Sequence, residues 1–210
     1  HIVTSSMKFA KKLMTETKIV RAEQMFATDA NLAGYGYLVS DPSTVEVEIV
    51  TWPTAGWRPV DEGTGNEAGT TEGDFDFWWN AGMLHGRNSA VNDEYVLARM
   101  LPSEDEAVIG HANYHPDGGQ LFFPLTGEAF VIPLAKPGDD LALEDFVAFY
   151  CDGLSGVYIH PGVWHEALLP LSEKATFFDK QGRVHARISS HFEADFGACL
   201  GVPMTPPETQ

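Results

Sequence analysis

Residues 113–120 read Asn-Tyr-His-Pro-Asp-Gly-Gly-Gln, and a later segment, residues 156–165, reads Gly-Val-Tyr-Ile-His-Pro-Gly-Val-Trp-His. Each segment joins a strand-like apolar run to imidazole side chains and a turn that contains glycine and proline. Alternate side chains of a strand share a face, so Asn113 and His115 are predicted to point the same way. Because buried polar groups are costly without a role or a partner, we predict that both segments build one pocket inside a small β-barrel.

Apolar runs bounded by glycine and proline predict further strands on both sides of these segments. Residues 18–27 instead combine helix formers with apolar spacing, which predicts a short helix, and residues 180–183 are typical of a turn. Many short strands with a few short helices predict an all-β barrel or jelly roll. The predicted strands cover residues 34–39, 45–50, 75–82, 94–100, 130–134, 145–150 and 175–179.

The chain of 210 residues is predicted to form a single domain, residues 1–210. A domain of this size buries about 70% of its unfolded surface, enough to fold without a disulfide or a metal. Residues 53–74 are predicted to be a long loop, either a lid or a simple insertion, and residues 203–210 an irregular tail. Residues 1–6 are interpreted as a cloning remnant and take no part in the fold prediction.

Charge restricts the partners. With 30 acidic and 13 basic residues the net charge is −17, which repels phosphate backbones and anionic membranes, so neither nucleic acid nor membrane is an expected partner. A carboxylate ligand would need local donors, although at least two of the available arginines are expected only to balance surface charge. Those arginines are Arg87, Arg99, Arg183 and Arg187.

The compartment follows from three features of the sequence. Cys151 and Cys199 are too few for a disulfide framework and suit a reducing environment. The segment after Met7 has no apolar core of a secretory signal, and no run approaches about 18 apolar residues. We therefore expect a cytoplasmic protein. Barrel edges and aromatic strands also favour a homodimer, and the lack of a phosphate-cradling glycine loop disfavours a nucleotide enzyme.

The spacing of the first segment, with four residues between His115 and Gln120 and six between Gln120 and Gly127, resembles the first cupin motif. The second segment resembles the second cupin motif, whose final histidine here is His165. This resemblance implies a cupin-type double-stranded β-helix, a jelly-roll barrel. Its motif positions fall on Asn113, His115, Gln120 and His165.

Over residues 111–180 the chain looks like the narrower ureidoglycolate lyase family, which splits ureidoglycolate into glyoxylate and urea during purine-derived nitrogen use. The chain departs from that family at Asn113 and Tyr114, where an acidic and a basic residue are usual, and at Gly119, where serine is usual. The likeness is carried by His115-Pro116, Gly119-Gln120, Phe123-Pro124-Leu125, His160, Gly162 to His165 and Leu168-Leu169.

Cleavage of a carbinolamide C–N bond needs a base for the hydroxyl and an acid for the departing nitrogen, and histidine titrates in the right range for both. The candidate catalytic residues are His115, Gln120, His160 and His165. The candidate substrate-binding residues are Asn80, Asn113, Tyr114, Phe123, Tyr158 and Trp164, with turn packing as the alternative for Trp164.

A metal is the alternative use of the same side chains. His115, Gln120 and His165 are predicted to hold a divalent ion (zinc, manganese, nickel or iron), if one is bound. Glu166 is expected to face away from His165. Four of the remaining histidines, at positions 85, 111, 185 and 191, are expected to be exposed or to be satisfied by a backbone partner.

Three functions remain open at this stage. The first is a lyase that acts on a small 2-hydroxy or ureido acid by acid/base chemistry. The second is a metal-dependent cupin oxygenase or isomerase, which would need two histidines and one carboxylate on the metal. The third is a cupin that binds a small acid without turnover.

Overall fold

The computed structural model describes residues 17–208, and strands dominate this part of the chain. Two 3-10 helices, at Pro42–Thr44 and Leu143–Asp145, and a short α-helix, α1, at Phe192–Phe196, lie among them. In chain order the strands are β1 (Lys18–Arg21), β2 (Glu23–Phe26), β3 (Gly36–Val39), β4 (Glu67–Asn80), β5 (Met83–Asn88), β6 (Asp93–Met100), β7 (Glu106–Ile109), β8 (His111–Tyr114), β9 (Gln120–Pro124), β10 (Phe130–Ala135), β11 (Val147–Cys151), β12 (Gly156–Ile159), β13 (Trp164–His165), β14 (Leu169–Pro170), β15 (Lys174–Val184), β16 (Ile188–His191) and β17 (Ala198–Pro203).

The strands form two sheets of mixed direction. The larger sheet has the order β1-β17-β7-β6-β5-β4-β15-β9-β12-β3, and the smaller has the order β16-β8-β13-β10-β11-β2, with β14 paired to β10. A shared apolar core joins the two sheets, and in it Phe177 of β15 packs edge-on against Phe130 of β10, with ring centroids 5.0 Å apart. This architecture confirms the predicted all-β, cupin-like fold with a few short helices.

The strands predicted around residues 34–39, 75–82, 94–100, 130–134 and 145–150 are confirmed, with small shifts at their ends except that the second begins much earlier, at Glu67. These runs are apolar enough to fill the core. None of the helices in residues 17–208 combines the length and the apolar character needed to cross a membrane.

The helix predicted for residues 18–27 is wrong. The chain there forms β1, which pairs in parallel with β17, and β2, which pairs in parallel with β11. Helix propensity differs among ordinary residues by only a few tenths of a kcal/mol, roughly 0.7 at most, so two complete ladders of interstrand hydrogen bonds outweigh it.

The strand predicted for residues 45–50 is also wrong. Apart from an isolated bridge between Ile49 and Gly118, this segment has no regular pairing. It crosses the outer face of the larger sheet instead, where the backbone N–H of Glu48 donates to the Tyr158 hydroxyl at 2.8 Å. The segment therefore packs over Tyr158 without pairing as a strand.

The loop predicted for residues 53–74 is shorter than expected. Residues 67–74 belong to β4, where they pair with the second half of β15, so that residues 53–66 remain irregular. For the same reason the turn predicted at residues 180–183 is wrong, because β15 continues through it. Of the predicted tail, Pro203 ends β17 and residues 204–208 form neither helix nor strand. Residues 209–210 and the predicted remnant 1–6 lie outside the described residues.

Candidate active site

The four cupin-motif positions meet at a small cavity between the sheets, with a volume of about 70 Å³. A space of this size suits a small molecule of few heavy atoms. Aromatic and apolar side chains form one part of the wall, among them Phe75, Tyr95, Leu97 and Phe122. The polar part of the wall consists of Asn88, Asn113, His115, Gln120, His165, Glu166, Gln181 and Arg187.

Strand register brings these polar residues together. Asn113 of β8 lies opposite His165 of β13, and Gln120 of β9 lies opposite Gln181 of β15. His115 follows β8 directly and shares the inward face with Asn113, as the alternation predicts. The two sequence segments therefore do build one pocket.

His115 and His165 both line the cavity, and their Nε2 atoms have no hydrogen-bond partner among residues 17–208. Their ring centroids are 5.1 Å apart, and each Nδ1 lies at hydrogen-bond distance from a backbone carbonyl, Ala186 for His115 (3.1 Å) and Val163 for His165 (2.8 Å). A carbonyl only accepts, so each Nδ1 must carry the proton and each Nε2 keeps its lone pair. Burial lowers the pKa of both imidazoles, that of His115 well below its usual value. Both rings are therefore neutral bases at pH 7.

His185 completes a group of three imidazoles, although it was expected to be exposed or satisfied by a backbone partner. Its ring centroid is 4.4 Å from that of His115, and only 8% of the residue is exposed. The backbone N–H of Gly182 donates to its Nε2, and Gly182 must lack a side chain here because a Cβ would lie 2.1 Å from the imidazole ring. Burial lowers the pKa of His185 to about 3, so this ring is neutral as well.

Asp179 lies behind the cavity wall and is fully buried. It accepts hydrogen bonds from three side-chain amides, from Gln120 Nε2 at 2.6 Å, Gln181 Nε2 at 2.6 Å and Asn88 Nδ2 at 3.0 Å. Desolvation raises the pKa of Asp179 to about 6, against the lowering effect of these bonds. All three amide residues line the cavity.

The sequence prediction missed Asp179, which it placed in a strand without a role, and Gln181, because residues 180–183 were assigned to a turn. The signal was present in the alternation of Phe177, Asp179 and Gln181, which places all three on the inward face of one long strand. Asn88 has no comparable signal, since it ends β5 far from both motifs.

Of the four arginines considered as carboxylate donors, Arg187 reaches the cavity. Arg183 lines an adjoining recess, and Arg87 forms an exposed ion pair with Glu94 at 2.7 Å. Arg99 lies at a separate hollow of the surface. The expectation that at least two of them serve other purposes agrees with these positions.

The irregular segment 53–66 holds Arg187 in place. The carboxylate of Asp61 accepts from Arg187 Nε at 2.8 Å and from Ser189 Oγ at 2.6 Å. The Arg187 backbone N–H donates to Thr64 Oγ1 at 2.9 Å, and the Asp61 N–H donates to the Arg187 carbonyl at 2.7 Å. Asp61 and Thr64 thus attach the segment to the cavity wall.

Glu166 also lines the cavity, so the expectation that it faces away from His165 is wrong. The strand β13 ends at His165, and the alternation of a strand no longer applies beyond it. Glu166 Oε2 lies 2.7 Å from Nδ1 of His111, and Glu166 Oε1 accepts from the Ala167 N–H at 3.0 Å. Both carboxylate oxygens are therefore engaged by the protein.

Asn113 carries an open acceptor. Its Oδ1 is buried and has no hydrogen-bond partner within the part of the chain that the structure describes. An unpaired buried carbonyl costs about 1–3 kcal/mol, which a ligand donor in the cavity would recover.

Several predicted residues lie outside the cavity wall. The Tyr114 hydroxyl donates to Asp139, and Trp164 Nε1 donates to the Gly138 carbonyl at 2.8 Å. The two rings pack edge-on with centroids 4.7 Å apart, so Trp164 packs the turn. Phe123 points to the outer face of its sheet, and its neighbour Phe122 lines the cavity instead.

Tyr158 and His160 lie on that outer face. The residues that alternate with them, Val157 and Ile159, face the core. Tyr158 stacks on Tyr37 at 5.0 Å. His160 Nδ1 lies 2.7 Å from Glu48 Oε2, and 39% of its side chain is exposed. His160 is thus not brought to His115 and His165, and strand parity is the physical reason.

Asn80 ends β4 as an exposed residue and is not part of the cavity wall. Gly119, where a serine is usual in the family that the sequence resembles, has a packing explanation. A Cβ at this position would lie 2.0 Å from the Tyr158 hydroxyl oxygen. The glycine and the tyrosine therefore depend on one another.

The donor set limits the metals that the cavity can hold. Among residues 17–208, no group of three or more His, Cys, Asp or Glu side chains has the geometry of a metal site. His115 and His165 each offer a free Nε2, and Gln120 offers an amide oxygen. Such a neutral set fits a weakly held divalent ion of the imidazole-binding kind.

Comparison with known proteins relates this chain to one enzyme family. A family model described as ureidoglycolate lyase matches residues 94–190, a range that contains the polar cavity residues from Asn113 to Arg187. A ureidoglycolate lyase of Salmonella enteritidis is 32% identical over 122 residues, which cover 52% of this chain and 76% of that protein.

Two further relatives carry the same name. The ureidoglycolate lyase of Pseudomonas syringae pv. tomato is 36% identical over 111 residues, 50% of this chain and 65% of that protein. That of Pseudomonas savastanoi pv. phaseolicola is 40% identical over 76 residues, 35% of this chain. The match with this last relative spans 45% of its length.

Proposed function

Because the chain belongs to the ureidoglycolate lyase family, we propose that it cleaves the C–N bond of ureidoglycolate, or of a closely related small 2-hydroxy ureido acid, to release glyoxylate and urea. The observation that carries this proposal is the pair of neutral imidazoles, His115 and His165, whose free Nε2 atoms share one small cavity with an arginine. This reaction needs acid/base groups and a hydrogen-bond donor for the substrate carboxylate.

We assign the base to His165. Burial lowers the pKa of both imidazoles, but the carboxylate of Glu166 raises that of His165, whereas two neighbouring imidazoles lower that of His115 further. His165 is thus the stronger base of the two. Its Nε2 takes the proton of the substrate hydroxyl, and His115 Nε2 accepts a second hydrogen bond that orients the substrate.

The same proton serves the second half of the reaction. As the hydroxyl oxygen becomes the carbonyl oxygen of glyoxylate, the C–N bond breaks and its electron pair stays on nitrogen. Neither neutral imidazole has a spare proton at Nε2, so the proton that His165 has taken passes to that nitrogen and urea leaves. The imidazole returns to its starting state, and the protons balance without a further group.

Arg187 and Asn113 hold the substrate. Arg187 is the arginine of the cavity wall, and its Nε is fixed by Asp61, which leaves the Nη groups for the substrate carboxylate. Asn113 Oδ1 accepts from a substrate donor and so gains the partner that it lacks. Gln120 contributes its amide to the cavity wall.

The direct test measures glyoxylate and urea released from ureidoglycolate by the purified chain. The His165→Ala variant should lose at least about a hundredfold in turnover, the usual contribution of a general acid or base. The His115→Ala variant should also lose turnover, because the substrate is no longer oriented. His160→Ala is the matched control, because that histidine lies outside the cavity and should keep its turnover. Equal products from wild type and both cavity variants would rule out the assignment.

A metal remains a separate proposal. His115, His165 and Gln120 would hold zinc, manganese, nickel or iron, and the ion would polarise the substrate hydroxyl. Elemental analysis of wild type equilibrated with the ion should then show one bound equivalent that His165→Ala protein lacks. The metal proposal would be contradicted if the protein kept full turnover while it contained less than about a tenth of an equivalent of any such ion.

The oxygenase or isomerase hypothesis needs a carboxylate on a metal beside two histidines. Glu166 is the carboxylate of the cavity wall, and both of its oxygens are engaged by His111 and Ala167. This engagement disfavours that function. A homodimer, a cytoplasmic location and a place in purine-derived nitrogen use stay proposals, of which light scattering tests the first.

A further inference from the structure

We infer that Asp179 is a positioning residue that turns the amide oxygens of Gln120 and Gln181 into the cavity, and that this pair of oxygens selects the ureido end of the substrate. The inference rests on the proposed function and deepens it. It assigns the two ends of the cavity to the two ends of one small acid.

The first observation is the buried charge itself. Asp179 is 0% exposed and forms no ion pair within residues 17–208. Burying a carboxylate without a cation is costly, and a protein of this size could fill the same space with an apolar side chain at no such cost. A fully buried carboxylate that is held only by the amides of a cavity wall therefore indicates a role in that wall.

The second observation is the direction of the hydrogen bonds. An ionised carboxylate only accepts, so the nitrogens of Gln120 and Gln181, each 2.6 Å from Asp179, must face it. When the donated N–H is the one anti to the carbonyl, the oxygen of the planar amide points the opposite way. Asp179 thus determines which atom of each glutamine points away from it.

The third observation is which oxygens stay open. The oxygen of Asn88 accepts from the Ala90 N–H at 2.9 Å and is occupied. No hydrogen bond within the described chain reaches the amide oxygens of Gln120 or Gln181, although both residues line the cavity. The two residues are register partners on neighbouring strands, with Cα atoms about 5 Å apart. Two register neighbours with open oxygens on one cavity wall supply two acceptors, here named the amide pair.

An amide pair matches one kind of ligand group. A ureido group carries N–H donors on both nitrogens, and one N–H from each points to the same edge, away from the carbonyl. Two adjacent acceptors can bind that edge together, whereas a carboxylate or an aldehyde offers only acceptors and would be repelled there. Arg187 on the same cavity wall takes the carboxylate, so the substrate is bound in a single orientation.

The experiment uses two ligands that cannot be turned over. N-carbamoylglycine has both the ureido group and the carboxylate but lacks the hydroxyl, and oxalate has only carboxylates. Calorimetry measures the affinity of both ligands for wild type, Asp179→Asn and the control Asp76→Asn. Asp76 is a strand carboxylate whose partner is the Thr176 hydroxyl and which lies outside the cavity wall.

In Asp179→Asn the new amide nitrogen needs an acceptor, so it draws one glutamine oxygen out of the cavity and turns an N–H in. We expect N-carbamoylglycine to bind about tenfold more weakly, since a donor then faces a donor, and oxalate to bind within about twofold of wild type. With ureidoglycolate, KM should rise more than kcat falls. The Asp76→Asn variant should bind both ligands as wild type does.

Equal weakening of both ligands, or no weakening of N-carbamoylglycine, would overturn the inference. If Asp179→Asn does not fold, Gln181→Met removes one oxygen of the amide pair and should give the same selective loss. The outcome is separate from that of the lyase proposal. Wild type that binds N-carbamoylglycine selectively but releases no urea would refute the lyase proposal and leave the amide pair standing.

Discussion

Replacement of Asp179 by asparagine should remove a pH dependence of the stability while it impairs the site. The pKa of Asp179 is raised by burial from 3.8 to about 6. The folded protein therefore binds a proton between pH 4 and pH 6 that the unfolded chain does not bind. This group contributes its full stability below the unfolded pKa and loses it as the pH rises through the folded pKa.

The size of the effect follows from the same two values. A difference of roughly two pKa units corresponds to about 3 kcal/mol at 1.36 kcal/mol per unit. Asparagine has nearly the shape of the protonated acid and does not ionise. The free energy of unfolding of Asp179→Asn, relative to wild type, should therefore rise by about 3 kcal/mol between pH 4 and pH 7.

Urea unfolding of both proteins at several pH values measures this difference, with Asp76→Asn as the control variant. The titration of His115, His165 and His185 also makes stability depend on pH, but it is common to both proteins and cancels in the difference. A difference between Asp179→Asn and wild type that stays constant from pH 4 to pH 7 would refute the reasoning, and so would one that decreases.

Three further results are expected. Gln120→Ala should lower kcat/KM far more than it lowers the free energy of unfolding, and equal losses would mean that Gln120 is only structural. Arg187→Met should raise KM for ureidoglycolate about tenfold or more with a smaller change in kcat, measured by steady-state kinetics, because it removes the charged donor of the carboxylate; an unchanged KM would remove Arg187 from the site. Because burial lowers the pKa of His115 and His165, their basic forms persist in mild acid, so the acid limb of kcat/KM against pH should lie below pH 6.5; a limb above pH 7 would contradict the assigned base.

The sequence was informative about the site wherever a motif combined spacing with strand parity. The cupin-like spacing placed Asn113, His115, Gln120 and His165 in one cavity, and all four line it. Parity within the second segment could also have excluded His160. Its neighbour Ile159 belongs to the core, so His160 had to face outward.

The other polar residues of the cavity depend on contacts that local sequence does not encode. Asp179 and Gln181 lie in a stretch with glycine, lysine and arginine that is typical of a turn, and pairing with β4 extends it as a strand. His185 is buried only because two glycines, Gly118 and Gly182, leave room for its ring. The helix predicted for residues 18–27 failed for a related reason, since pairing partners far along the chain decide its state.

The attachment of Asp61 to Arg187 has a consequence for engineering. Residues 53–66 could be taken for an ornament that a protein engineer might trim to obtain a more compact enzyme. Yet this segment supplies the counter-charge that keeps the guanidinium aimed, and a shortened version would leave that side chain free to swing into water. Residues 53–66 thus stabilise the acid-binding end of the cavity, and a redesign of the substrate range should keep this contact.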